Sequence, residues 1–263
     1  TDRIGTAVTI SSDNDEADAL HERFRRVRFV LVGTTHPGNI GASARAMKAM
    51  GFSDLQLVSP KTFPAAEATA RASGADDLLA HATVVDNLAE AVTDCALVIG
   101  TPARDRHLEW PVLSPRDAAA RIAGGLSDGP VAVVFGREQS GLSNAELDRC
   151  QHAIRIPTNP AFNSLNLAQA VQVCAYEMRQ ALLGGRDGVG DDPAPEPLAD
   201  AGELDRLHQH LIEVMTMVGY FDPANPRLLP RRLRRLLNRS ELQRSEVQIL
   251  RGFLSAVERH GDG

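Results

Sequence analysis

The sequence predicts an α/β domain built on a parallel sheet with helices on both faces, followed by a small all-helical domain. Three observations carry this expectation. Short unbroken apolar runs such as "VRFVLVG" (27–33) and "VAVVFG" (131–136) alternate with helical patterns. Strands that are apolar at every position belong in a sheet covered on both faces. Residues 184–202, "GGRDGVGDDPAPEPLADAG", hold Gly, Pro and acid with almost no bulky apolar side chain, the composition of a tether. Beyond it only helical patterns remain, with arginines concentrated in "RLLPRRLRRLLNR" (227–239).

The elements follow in order. Residues 1–25 lack an apolar period and are expected to form a flexible arm. Strand patterns lie at 27–33, 55–60, 82–86, 96–103, 131–136 and 153–157. Helical patterns lie at 39–51, 64–80, 87–93, 114–123 and 164–182. In the last segment Val247, Leu250, Leu254 and Val257 recur at 3, 4, 3 spacing, one buried helical stripe, and Ser240 with Gln243 forms a capping box in front of it. The division is therefore an arm (1–25), an α/β domain (26–183), an acidic linker (184–202) and a basic helical extension (203–263).

The net charge of −6 argues against wholesale attraction to nucleic acid, yet it hides local basic patches at 23–28, "RFRRVR", and 227–239. Acid is concentrated at 13–18 and 187–196. Cys95, Cys150 and Cys174 are far apart and show no ligand spacing, so they read as reduced thiols with no metal site. No apolar run approaches a membrane span and the first residues are polar, so the expectation is a cytoplasmic protein with no membrane partner.

Chemistry concentrates at the C-terminal ends of three predicted strands, the edge where open α/β sheets bind ligands. The first stretch is "GTTHPGNIGASAR", Gly33 to Arg45. Its glycines match neither GxGxxG nor a P-loop, which disfavours a dinucleotide-binding dehydrogenase. Asn39 can cap the helix, and Gly41 allows close approach of a backbone or a ligand. Arg45 lies one turn past Gly41, on a polar face away from Ile40, Ala44 and Met47. The second is "VVFGREQSGLS" (133–143), where Gly136 and Gly141 flank Glu138. The third is "IPTNPAFNSLN" (156–166), where Asn163 or Ser164 caps a long helix and Asn166 lies in its first turn. Taken singly, each has a plain structural reading: a solvated arginine, a strand-end turn and a helix cap.

As an ordered set, N-x-G-x-x-x-R, F-G-x-E-x-x-G and I-P…S-L-N-L…Y-E resemble the three motifs of the SpoU (TrmH) family, RNA ribose 2'-O-methyltransferases of the SPOUT class. The match covers about residues 27–180. "GTPARDRHLEWP" (100–111) and "QILRG" (248–252) narrow it to the branch that methylates nucleotide 32 of the tRNA anticodon loop, over about 27–259. The acidic N-terminal arm departs from that branch.

The resemblance implies a C-terminal trefoil knot in the sheet, a homodimer and S-adenosylmethionine as cofactor. It implies cofactor contacts at Thr101, Pro102, Ala103, Gly136, Ile156, Asn163, Ser164 and Leu165. It assigns catalysis to Arg45, Asn39, Glu138, Ser164 and Asn166, with Arg45 of one subunit meeting RNA bound at the other. The reaction is an in-line attack of a ribose 2'-hydroxyl on a sulfonium methyl, which requires alignment and removal of a proton but no metal. Arg45 is the residue implied for deprotonation. A guanidinium has a pKa above ~12 and no acceptor, so holding the neighbouring phosphate and the developing alkoxide is its easier role. Glu138 is placed to orient Arg45 or Asn39. Arg231, Arg232, Arg234 and Arg235 are expected to contact tRNA phosphates. Two other readings stay open from sequence: a family member acting on ribosomal RNA, and an RNA-binding relative without catalysis.

Overall fold

The structure, a computed structural model, describes residues 18–102, 111–162, 164–184 and 196–261. Seven strands, β1 (Val27–Val32), β2 (Asp54–Val58), β3 (Thr83–Val85), β4 (Leu97–Thr101), β5 (Val112–Leu113), β6 (Val131–Phe135) and β7 (His152–Ile154), form one sheet in the order β3-β2-β1-β6-β4-β7-β5. Every pairing is parallel. All strands therefore deliver their C-terminal ends to one edge. β1, β6 and β4 lie at the centre, which accounts for their unbroken apolar runs.

Successive residues of β1 point to opposite faces. Phe29 and Leu31 enter one core with Leu55, Phe135 and the inner faces of α2 (Pro37–Ala49), α3 (Ala66–Ala72), α6 (Pro115–Gly125) and α8 (Leu167–Gly184). Val30 and Val32 enter a second core with Val98, Val134, α5 (Leu88–Val92) and α7 (Asn144–Leu147). A further helix, α4 (Asp76–Ala80), adds Leu78 and Leu79 to the first core. Among the described residues no helix is long and apolar enough to cross a membrane.

Three expectations need correction. The segment read as an arm is helical over its described residues 18–25, called α1. Phe24, only 5% exposed, packs 5.1 Å from the Phe52 ring, with the Arg179 guanidinium 5.5 Å from its own ring. One buried aromatic among charges leaves no period to read. Residues 1–17 lie outside the described chain. Ser240 does not cap the last helix. Its hydroxyl donates to the Leu236 carbonyl at the end of α10 (Leu229–Arg239). α11 (Arg244–Gly261) is instead entered through Gln243, whose backbone N–H donates to Glu246. Finally, β5 and α7 went unread, although Ser143 and Glu146 form the capping box that announces α7.

The C-terminal helices α9 (Ala201–Met217), α10 and α11 share a core of Leu204, Leu207, Val214, Leu237, Val247 and Leu254. They dock on the opposite, N-terminal edge of the sheet. The Ala201 N–H donates to the Cys95 carbonyl, just before β4, at 2.9 Å. Asp148, just before β7 and 3% exposed, accepts from Arg231, with Nη2–Oδ1 at 3.0 Å, while Asn238 donates to its carbonyl at 2.6 Å. Asp205 lies between Arg149 and Arg234. The His208 ring donates through Nε2 to the Pro230 carbonyl and accepts at Nδ1 from Arg234, the neutral tautomer that its burial favours. The described end of the predicted linker is already ordered here: Ala199 is 2% exposed and bonded to the Leu242 carbonyl.

Candidate active site

The site is assembled by loops at the C-terminal ends of neighbouring strands. After β1 the chain turns at Gly33, whose φ of 59° suits glycine, and α2 starts with Pro37 at its first turn. After β6 a tight loop closes on itself: Arg137 and Gly141 exchange backbone hydrogen bonds at 3.2 and 2.8 Å. A Cβ on Gly136 would lie 2.2 Å from the Gly141 carbonyl carbon, so only glycine permits this closure. The Arg137 guanidinium forks onto both Glu146 oxygens at 3.0 and 3.1 Å and braces the loop against α7. Glu138 is held out at the tip.

Glu138 reaches the N-terminus of α2. Its carboxylate accepts from the Thr35 N–H at 3.1 Å, the His36 N–H at 3.2 Å and Asn39 Nδ2 at 3.0 Å. Partial burial pushes this carboxyl up, but the Asn39 bond and the backbone donors outweigh it and hold the group below the ordinary glutamate range. The chain of contacts continues. Asn166 Nδ2 donates to Asn39 Oδ1 at 3.0 Å. Asn166 caps α8, since its Oδ1 accepts from the Ala168 N–H at 2.9 Å. All three motifs are thus joined by one line of hydrogen bonds, Glu138 to Asn39 to Asn166.

Several sequence-based expectations shift here. Asn39 is not the cap of α2; His36 stands at that position and Asn39 is the third helical residue, free to face Glu138. The cap of α8 is Asn166 rather than Ser164, and Asn163 lies outside the described residues. Gly41 serves a backbone, not a ligand: a Cβ there would lie 1.9 Å from the Ala68 carbonyl oxygen of α3. Glu138 orients Asn39 and not Arg45. Arg45 is exposed on α2 and makes no hydrogen bond or ion pair among the described residues.

The expected cofactor contacts are spread over three loops from β6, β4 and β7, which are adjacent in the sheet. Gly136 is buried, Thr101, Pro102 and Ile156 are half-buried, and Ser164 and Leu165 are exposed. Thr101 Oγ1 donates to the Val134 carbonyl at 3.0 Å, tying the β4 end to β6. Ala103 lies outside the described residues. The basic run is not one uniform exposed stripe. Arg231 and Arg234 are tied to Asp148 and Asp205, Arg235 is half-buried, and only Arg232 of the four is exposed. The carboxylates that claim them lie 83 and 29 residues away in sequence, beyond any local pattern. Cys95, Cys150 and Cys174 are buried free thiols, each pushed up to about 12 by burial, and act as core residues.

Comparison with known proteins identifies the family. Residues 26–176 match the SpoU rRNA Methylase family, and residues 202–263 match the tRNA methyltransferase TrmJ C-terminal domain. The tRNA (cytidine/uridine/adenosine-2'-O-)-methyltransferase TrmJ of Pseudomonas aeruginosa is 48% identical over 246 residues, 90% of this chain and 96% of that one. The tRNA (cytidine/uridine-2'-O-)-methyltransferase TrmJ of Yersinia enterocolitica is 45% identical over 237 residues, 89% and 91% of the two chains. Among solved structures, TrmJ from Z. mobilis aligns with a TM-score of 0.78 at 38% identity, covering 88% of this chain and 98% of that one. A probable methylase family protein from Haemophilus influenzae aligns at 0.61 and 40% identity, over 91% and 98%. A family match over more than half the residues, and relatives at nearly half identity along almost the whole length, establish that the chain belongs to the SpoU methylase family, in its TrmJ branch.

Proposed function

We propose that this chain methylates a ribose 2'-hydroxyl of tRNA, at cytidine or uridine 32 of the anticodon loop, with S-adenosylmethionine as methyl donor. The observation that carries the reading is the hydrogen-bonded line Glu138–Asn39–Asn166, which aligns side chains from three separate strand ends at one edge.

The residues present fit the cofactor. Gly136 has no Cβ to fill the loop it closes, and half-buried Ile156 and exposed Leu165 offer apolar side chains. Thr101, Pro102, Ala103, Gly136, Ile156, Asn163, Ser164 and Leu165 would hold it. When bound, S-adenosylmethionine supplies a methyl group already activated by positive sulfur. The protein's share is alignment and care of the hydroxyl proton. Glu138 fixes the amide of Asn39, and Asn39 with Asn166 and Ser164 orients the ribose. Arg45 holds the adjacent phosphate and stabilises the developing alkoxide, a task suited to a cation without an acceptor.

A homodimer, a trefoil knot and a cytoplasmic location belong to the same proposal, as does the division into a methyltransferase domain, a linker and a helical extension. Support for the dimer is that Arg45 lies roughly 9 Å further along α2 than Asn39 and touches none of the Glu138 line. A second copy would bring it to the ribose. Support for the knot is the membership of the SpoU methylase family.

The test is transfer of labelled methyl to purified tRNA and ribosomal RNA, followed by mapping of the modified nucleotide. Label at tRNA nucleotide 32 is the expected outcome. Label confined to ribosomal RNA, or no transfer, would overturn the reading.

A further inference from the structure

Arg231 and Arg234 already hold carboxylates, so the free cations elsewhere on the surface bear on how the RNA backbone is gripped. The catalytic edge carries them. Lys61 follows β2 at the same sheet edge, and its backbone N–H donates to the Thr34 carbonyl of the glycine-rich loop at 3.0 Å. Arg71 lies on α3 beside the start of α2: a Cβ on Gly38 would sit 3.5 Å from Arg71 Cγ. Arg45 lies on the same α2 face as Gly38 and Gly41, the face turned to α3. All three side chains are exposed, and among the described residues none has an ion-pair partner. Lys48, the next cation along α2, is different, since it is paired with Asp77 at 2.7 Å.

Two carboxylates share the neighbourhood. Glu138 is occupied by Asn39 and two backbone N–H groups. Glu67 Oε1 lies 2.7 Å from the position of a Cβ on Gly38 and remains exposed. The local balance is still positive on a chain whose net charge is −6. Unpaired cations gathered at one edge of an acidic protein are an electrostatic footprint for a polyanion.

We propose that Lys61 and Arg71 extend the reach of the Arg45 on their own subunit into a phosphate-binding arc that grips the RNA backbone on either side of the ribose which that Arg45 meets. The proposal rests on the reading of the chain as a tRNA methyltransferase and adds two positioning residues to it. They touch phosphates, not the reacting atoms, so they set affinity and register rather than base choice.

The test is a Lys61→Gln, Arg71→Gln double variant, which removes both charges and keeps the side-chain stems. tRNA affinity is measured across a salt series, alongside methyl transfer, for wild type and variant. Each phosphate contact contributes a slope of about 0.7–0.9 in log K against log salt, so the slope should fall by about 1.5. A Lys61→Arg, Arg71→Lys variant should restore it. A variant slope equal to that of a wild type that does methylate tRNA would overturn the arc alone. Failure of the wild type to methylate tRNA would overturn the reading beneath it.

Discussion

Asn166 Nδ2 donates to Asn39 Oδ1 at 3.0 Å, joining the heads of two helices 127 residues apart in the chain. Glu138 accepts from the other end of the Asn39 amide, at 3.0 Å, which matches the orientation that presents Oδ1 to Asn166. The Asn39 amide is thus held between a carboxylate on a third loop and the cap of α8.

Asn39→Asp should break this line with almost no change of shape. It replaces the donor to Glu138 by a second carboxylate, and like charges at that range repel. Displacement of reacting groups by about 1 Å costs ~10²-fold, so kcat should fall by about that factor. One carboxyl of the new pair titrates upward, so part of the activity should return as pH is lowered. A pH–rate profile of the variant parallel to wild type would refute the role given to the line.

Gly136→Ala should abolish cofactor binding, because its Cβ would meet the Gly141 backbone at 2.2 Å and force the loop open. Gly124→Ala is the control, with nothing within 4 Å of its Cβ. Calorimetric titration with S-adenosylmethionine separates the two. Equal affinities would show that the loop closure has no part in the site.

Arg231→Ala should weaken the seat of the helical extension. It strands Asp148, a carboxylate with a side chain only 4% exposed. Leaving a buried acceptor without its partner costs about 1–3 kcal/mol. Arg232→Ala, on the exposed face of α10, should leave stability unchanged. Urea unfolding of both variants checks this, and equal midpoints would count against a docked extension.

Acid should loosen the fold through carboxylates held low. For Glu138, Glu146 and Asp205, burial acts upward; hydrogen bonds from Asn39, from Arg137 and from Arg149 with Arg234, respectively, outweigh it. A group lowered on folding stabilises above its unfolded value, and that contribution is lost as pH falls through its folded value. The melting temperature should therefore hold steady through neutral pH and decline below the ordinary values of 4.5 for Glu and 3.8 for Asp. Asp205→Asn should melt lower at pH 7 and converge on wild type in acid. A constant gap across the range would assign the loss to packing instead.

Much of the fold was legible because it is written locally. The runs at Val27–Val32 and Val131–Phe135 are apolar at every residue, and only a doubly covered strand requires that. The site residues were legible as types at strand ends: Asn39, Glu138 and Asn166 could be chosen as polar groups in glycine- and asparagine-rich loops. The short β5 was not, because two residues carry no period. Nor was the burial of Phe24, which depends on Phe52 and Arg179 arriving from elsewhere. The arginines of α10 make the contrast plainest. From sequence, Arg231, Arg232, Arg234 and Arg235 form one basic stripe. In the fold, Asp148 and Asp205 reach two of them across long stretches of chain and turn them into a seam at the sheet's N-terminal edge. Composition and periodicity are set by neighbours along the chain, so they determine which elements form and which face is apolar. The partner of a charge is set by distance in space, and only the tertiary structure decided that Arg231 holds a carboxylate while Arg45, Lys61 and Arg71 remain free of any partner among the described residues.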